Sequence, residues 1–170
     1  MNKKQTRYYI SLGSNLNRRA HLACAVRFLQ ASFQHIRLSP VYQSPAFGFD
    51  GPDFYNGVVV FDSAIEPLAL KNWLRDLEYA CGRSQNQSRY SDRTLDMDIL
   101  LAGQLILKHK NLRLPRPELT RRAYVLKPLC DLAPHLIHPE TGQKIAEMWH
   151  QLDAAESQKL TWVESLSWLN

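Results

Sequence analysis

In the run Arg93-Thr94-Leu95-Asp96-Met97-Asp98-Ile99-Leu100, apolar and acidic residues alternate with a period of two. On an extended strand successive side chains leave opposite faces, so Leu95, Met97 and Ile99 can enter a core while Asp96 and Asp98 stand together, about 6 to 7 Å apart. The strand can therefore bury one row of side chains while it presents paired carboxylates on its other face. Two such carboxylates repel each other unless cations sit between them. Oxygen ligands of this kind suit Mg²⁺, which is commonly held by one or two carboxylates together with substrate phosphates. The plainer reading is surface pairing of Asp96 and Asp98 with Arg93 and Arg89, which would contribute little.

The charge distribution favours the metal-phosphate reading. The 170 residues carry a formal charge of +5, and the window from Arg83 to Arg122 holds all of it, with seven Arg and two Lys against Asp92, Asp96, Asp98 and Glu118. Two acids need two cations, and this window offers many more. Arginine's planar fork grips phosphate or carboxylate with two parallel hydrogen bonds, so an anionic partner is expected. Hydrophobic residues at 45% and a length within the usual range for one domain predict a single domain over residues 1–170 with a substantial core. Cys24, Cys81 and Cys130 are odd in number and widely spaced, which suggests neither a disulfide framework nor a zinc site. The polar, basic start of the chain lacks a signal core, and no apolar stretch approaches the roughly 18 residues that read as a membrane span. A cytoplasmic protein without membrane contact is expected.

Periodicity gives the element order. Tyr8 to Leu12 reads as a strand closed by Gly13-Ser14-Asn15. Leu22, Ala25, Val26, Leu29 and Phe33 stripe a helix over 19–33. Ile36 to Tyr42 and Tyr55 to Phe61 read as strands flanking a loop, 44–53, that is rich in Pro, Gly and Phe. Glu66-Pro67 opens a second helix that stops at Gly82, and Leu95 to Leu101 is the next strand, with Gln104 to Leu107 as its expected hairpin partner. Short helices follow around 121–129 and 145–151, broken by Pro128, Pro134 and Pro139. The order β-α-β-β-α-β predicts an α+β, ferredoxin-like core, an antiparallel sheet packed by helices, with extra short helices at the C-terminal end.

No GxxxxGK[ST] run or dinucleotide fingerprint is present, so phosphates must be held by side chains. The chain resembles the 6-hydroxymethyl-7,8-dihydropterin pyrophosphokinase family from Tyr8 to about Gly142. The resemblance rests on Gly13-Ser14-Asn15-Leu16, Tyr42 to Gly48, Asp53 to Asn56, Glu78 with Gly82-Arg83, the Arg93 to Leu100 run, Leu114-Pro115 and Arg122-Ala123-Tyr124-Val125-Leu126. It implies transfer of pyrophosphate from MgATP to the hydroxymethyl group of a reduced pterin in folate biosynthesis, with release of AMP. Asp96 and Asp98 would then hold two Mg²⁺ ions, and Arg83 and Arg93 would hold the transferring phosphates, with Asp98 also assisting deprotonation of the alcohol. Ser44, Pro45, Phe47, Gly48, Phe54, Asn56 and Tyr124 match pterin-side positions. Glu78, Arg83, Arg89, Arg93, Ile99, Arg116 and Arg122 match ATP-side positions. Residues 84–92 have the composition of a lid.

Three departures from the family pattern stand out. Ser91-Asp92 replaces a Gly-Pro pair, Arg116 stands where the family commonly has His, and Tyr90 stands where Trp is familiar, with Arg75 and Gln85 also differing in type. The first two motivate one alternative, a catalytically weakened relative that binds pterin or nucleotide. A pI near 9.2 motivates another, a nucleic-acid-binding module. The principal expectation is a monomeric enzyme whose partners are ATP and the pterin, not nucleic acid.

Overall fold

A computed structural model describes residues 4–164. Its centre is an antiparallel sheet built on two long strands, β1 (Thr6–Ser14) and β4 (Phe54–Ser63). On the far side of β1 lies β5 (Asp96–Ala102), and on the far side of β4 lie β2 (Arg37–Leu38) and β3 (Val41–Ser44). The order along the sheet is β5-β1-β4-β3-β8, where β8 is Thr161–Glu164.

Alternation along the strands divides the core in two. Tyr8, Ile10 and Leu12 of β1, Val59 and Phe61 of β4, and Met97 and Ile99 of β5 leave one face. There they meet Leu22, Ala25, Val26 and Leu29 of α1 (Arg18–Ser32) and Leu70, Leu74 and Leu77 of α2 (Pro67–Ala80). Leu95 joins the same cluster, as the alternation predicts. Tyr9, Val58, Val60 and Leu100 leave the opposite face and pack on α3 (Ala123–Leu132) and α4 (Ile145–Gln151) through Val125, Leu126, Leu129, Ile145 and Met148. Helices thus cover both faces, and the chain is a mixed α/β protein with an antiparallel sheet. A short α5 (Ala154–Ser157) precedes β8.

Four local expectations are corrected. The strand expected over 36–42 is two strands, because Pro40 cannot donate to the ladder and the Ser39 hydroxyl accepts from the Val58 N–H in place of a backbone carbonyl. Residues 104–107 do not pair with β5. Its outer edge is met instead by the Arg116 N–H, which donates to the Leu100 carbonyl at 2.9 Å. Beyond the turn at Gly103, β6 (Leu107–His109) pairs with β7 (Leu112–Leu114) as a separate ribbon. Pro128 does not break α3 but lies buried inside it. Its neighbours Val125, Leu126 and Leu129 are anchored on the sheet, so packing holds a helix that local propensity would interrupt. Finally, Cys24 and Cys81 form a disulfide with their Cα atoms 6.1 Å apart, 57 residues distant in sequence. Helices α1 and α2 share one face of the sheet, and this brings together two cysteines whose spacing carried no signal.

Candidate active site

Register places the chemistry. Gly13 of β1 lies opposite both Asn56 of β4 and Asp96 of β5, and Ser11 lies opposite Val58 and Asp98. Ser44 of β3 pairs with Phe54, and Tyr42 with Asn56. Cross-strand partners share a face, so Asp96, Asp98, Ser11, Gly13, Phe54, Asn56 and Ser44 all stand on the face that α3 and α4 cover elsewhere. Where α3 begins, at Arg122-Ala123-Tyr124, the apolar cover ends and this polar strip opens into a cavity of about 710 Å³. Asn56 and Asp96 are two strands apart, about 10 Å. Between them Gly13 presents no side chain. A Cβ there would stand 3.8 Å from both Asn56 Oδ1 and Phe54 Cδ1, inside the space that joins the two ends.

The carboxylate end is dense in charge. Arg83 bridges two acids, contacting Glu78 Oε2 and reaching Asp96 Oδ1 at 3.1 Å. Arg116 does likewise, with Nη2 at 3.1 Å from Asp98 Oδ2 and Nε at 3.2 Å from Glu118 Oε2. Burial and the adjacent Asp96 raise the Asp98 carboxyl above its usual range, and Arg116 opposes this. Glu78 is 4% exposed, and its Oε1 accepts from the Met97 N–H at 2.6 Å. Burial, with Asp96 nearby, pushes its carboxyl up to about 7 even though Arg83 pulls the other way. The Arg83 charge is divided between two carboxylates, which is why desolvation prevails.

The opposite end is aromatic. Phe47, Phe49, Phe54, Tyr90 and Tyr124 line it. The buried Asn56 amide donates to Ser44 Oγ at 2.9 Å and to the Tyr42 carbonyl at 3.3 Å, fixing which way its oxygen points. Burial, with Glu118 nearby, pushes the Tyr124 phenol up to about 12, so it stays protonated at neutral pH. Arg122 lies over the Phe47 ring at 3.8 Å, and its Nη1 is 3.7 Å from Glu156 Oε2.

From the segment 84–92, Gln87, Arg89, Tyr90 and Ser91 line the cavity. Arg93, 7% exposed, gathers this segment. Its guanidinium donates to the carbonyls of Ser88 and Arg89 at 2.5 and 2.7 Å, to Ser91 Oγ at 2.7 Å and to Gln87 Oε1 at 3.4 Å. Asn15 fixes the base of the segment, accepting from the Arg93 N–H at 2.7 Å and donating to Asp92 Oδ1 at 2.8 Å. The replacement Ser91-Asp92 is therefore integrated into the loop by hydrogen bonds. Tyr90 packs on Gly48, where φ is +82° and a Cβ would lie 2.9 Å from the Tyr90 ring, so only glycine fits.

Of the residues marked in the sequence, Ser44, Pro45, Phe47, Phe54, Asn56, Arg83, Arg89, Arg93, Asp96, Asp98, Arg116, Arg122 and Tyr124 line this one cavity. Gly48 supports it through Tyr90. Glu78 and Ile99 do not line it: Glu78 lies behind Arg83, and Ile99 points into the core under α1 and α2 because it alternates with Asp98. Ser11, Gln87 and Glu118 join the lining without having been singled out. Ser11 keeps period two with Gly13, a signal that becomes legible once β1 is paired. Glu118 follows Arg116 in a single 3-10 turn, for which the sequence offers no periodic cue.

Among the described residues no three His, Cys, Asp or Glu side chains converge so as to hold an ion unaided. Two carboxylates on one strand fit a hard cation that completes its shell with substrate oxygens. A larger open groove at the other end of the sheet, about 1140 Å³, contains Arg7, Arg37, Asp62 and Phe33. Its Arg7 is paired with Asp62 at 2.8 Å. No helix among the described residues is long and apolar enough to cross a membrane.

Comparison with known proteins identifies the family. The model of the 7,8-dihydro-6-hydroxymethylpterin-pyrophosphokinase family matches residues 9–134. A 2-amino-4-hydroxy-6-hydroxymethyldihydropteridine pyrophosphokinase of Pseudomonas aeruginosa is 38% identical over 146 residues, which are 84% of this chain and 89% of that protein. One from Porphyromonas gingivalis is 38% identical over 138 residues, 78% and 93% of the two chains. A solved structure of Plasmodium falciparum HPPK-DHPS wild type with pteroate superposes with a TM-score of 0.70 at 15% identity. It covers 89% of this chain, which spans 43% of that one, so the likeness concerns the fold. With the family model covering most of its length, the chain belongs to the 7,8-dihydro-6-hydroxymethylpterin-pyrophosphokinase family and is an ATP-dependent pyrophosphokinase of folate biosynthesis.

Proposed function

We propose that the chain acts as one domain, a monomer of ferredoxin-like topology, that transfers pyrophosphate from MgATP to the hydroxymethyl oxygen of 6-hydroxymethyl-7,8-dihydropterin. The strand order β5-β1-β4-β3 with two helices on one face supports that topology. The observation that carries the reaction is the shared face. The Asp96/Asp98 pair and the Asn56 pocket look into one cavity across a side-chain-free Gly13.

In this reading Asp96 and Asp98 would hold two Mg²⁺ ions, which would supply charge neutralisation of the ATP phosphates and Lewis-acid polarisation of the β-phosphorus. Phe54 and Tyr124 flank the flat pterin ring, Asn56 reads its amide edge, and Ser44, Pro45, Phe47 and Gly48 complete the wall. The hydroxymethyl oxygen, held at the Gly13 gap, attacks the β-phosphorus in line with the oxygen that leaves on AMP. Its proton passes to the carboxylate of Asp98, which lines the same cavity. Arg83, Arg93 and Arg116 line the same cavity and supply positive charge to the phosphates as the bridging oxygen departs. Arg89 and Arg122 supply further phosphate contacts from the lid and the start of α3. Glu78 contributes by orienting Arg83 rather than by touching nucleotide. Nucleic acid is not a partner in this reading, because the acids at the centre of the basic window repel a phosphate backbone.

The test is AMP release from MgATP with and without the pterin. Asp96→Ala and Asp98→Ala are each expected to lower turnover by about two orders of magnitude or more with an unchanged melting profile. Turnover within a few fold of the parent protein refutes the assignment.

A further inference from the structure

Both aspartates are held by an arginine that is shared with a glutamate behind it. Asp96 meets Arg83, which is backed by Glu78, and Asp98 meets Arg116, which is backed by Glu118. The two triads differ in how well the backing pair is made. Arg83 donates to Glu78 in a hydrogen bond. Glu118 Oε2, by contrast, is buried and accepts no hydrogen bond, although Arg116 Nε is 3.2 Å away. The Arg116 guanidinium is directed at Asp98 instead, through Nη2 at 3.1 Å. A buried carboxylate oxygen without a donor is costly, so the Arg116 position is a compromise drawn toward Asp98. The backbone does not restrict the alternative. The Arg116 N–H is tied to Leu100 and its carbonyl accepts from Leu119 at 3.1 Å, which fixes the Cα and leaves the side chain to pivot.

We propose that Arg116 is a resident counter-ion of Asp98, handed over to Glu118 when Asp98 takes a divalent cation. Glu118 is then a positioning residue, and the affinity of the aspartate pair for a divalent cation is set by this exchange. The proposal rests on the reading of Asp96 and Asp98 as metal ligands. Without nucleotide the handover opposes cation binding, because a guanidinium must leave a carboxylate for the ion to enter. With a triphosphate present the freed Nη groups gain a new anionic partner while Nε meets Glu118. Cation and nucleotide therefore bind with positive coupling, and Arg116 carries part of it.

The experiment titrates Mn²⁺ into the protein and reads free ion by electron paramagnetic resonance, with and without a nonhydrolysable ATP analogue. Arg116→Met is expected to tighten Mn²⁺ binding in the absence of nucleotide by threefold or more and to reduce the tightening that the analogue gives the parent protein. A smaller change, or weaker binding, overturns the proposal. Glu118→Gln, which keeps the guanidinium but removes the negative charge of its second partner, is expected to weaken Mn²⁺ binding without nucleotide. Unchanged or tighter binding in that variant overturns the handover even if Arg116→Met fails to fold. Asp98→Asn separates the two levels. If it leaves Mn²⁺ binding in the presence of the analogue at the parent value, the metal-ligand reading itself is wrong. If it abolishes binding while Arg116→Met changes nothing, the exchange alone fails.

Discussion

Glu78 offers the sharpest test of the electrostatics. Its carboxyl lies behind Arg83, 4% exposed, and is pushed from an ordinary 4.5 up to about 7. An acid whose folded pKa exceeds its unfolded pKa makes the folded state bind more protons between the two values. Stability is then fully present below about 4.5 and is lost as pH rises through 7. A shift of this size corresponds to about 3 kcal/mol at about 1.4 kcal/mol per unit. With a urea slope of about 2 kcal/mol per M, that is a fall of about 1.5 M in the unfolding midpoint. The assay is urea unfolding with a chelator present, at pH 4.5, 5.5, 6.5 and 7.5, on the parent protein and Glu78→Gln. The amide introduced by this substitution retains an acceptor for the Met97 N–H and does not ionise. Other buried acids such as Asp98 slope in the same direction, so the informative quantity is the difference between the two proteins. The parent is expected to lose about 3 kcal/mol more than the variant across this range. Parallel curves would refute the claim that desolvation outweighs Arg83 at this carboxyl.

The other expectations concern separate parts of the site. Arg93→Ala should lower kcat more than it weakens pterin binding, and should speed proteolysis within 84–92, since Arg93 ties that segment together; equal loss of rate and pterin affinity would remove it from the phosphate end. Asn56→Ala should weaken pterin binding by about tenfold in calorimetry, equivalent to about 1.4 kcal/mol, and an unchanged affinity would exclude Asn56 from the pocket. Leu126→Ala, at a fully buried position between α3 and the sheet, should cost about 2 to 5 kcal/mol in chemical unfolding. A loss under about 1 kcal/mol would mean that α3 is not anchored there.

The parts of the molecule that were legible in the sequence are those governed by period. The strand carrying Asp96 and Asp98, both long helices, and β1 and β4 all follow from alternation or from a three-to-four-residue stripe, and α4 matches the expected 145–151. What periodicity does not encode is pairing. Nothing in residues 104–107 reveals that β5's outer edge is met by Arg116, and β8 lies in a stretch without a clear pattern. Pro128 misled for the opposite reason, since a local rule was overridden by burial. At the site, the charged and aromatic residues are visible because their types are unusual for a solvated surface. Ile99 and Glu78 match nucleotide positions only by resemblance, and strand alternation turns Ile99 inward. Glu118 becomes meaningful only through its distance from Arg116.

The grip of Arg93 on the segment above the cavity has a mechanical corollary. Four acceptors spread over Gln87, Ser88, Arg89 and Ser91 converge on one guanidinium, like ropes on a single cleat. A phosphate bound by those N–H groups, as the proposed reaction requires, competes with all four contacts at once, while Asn15 on Asp92 and Gly48 under Tyr90 still hold the ends of the segment.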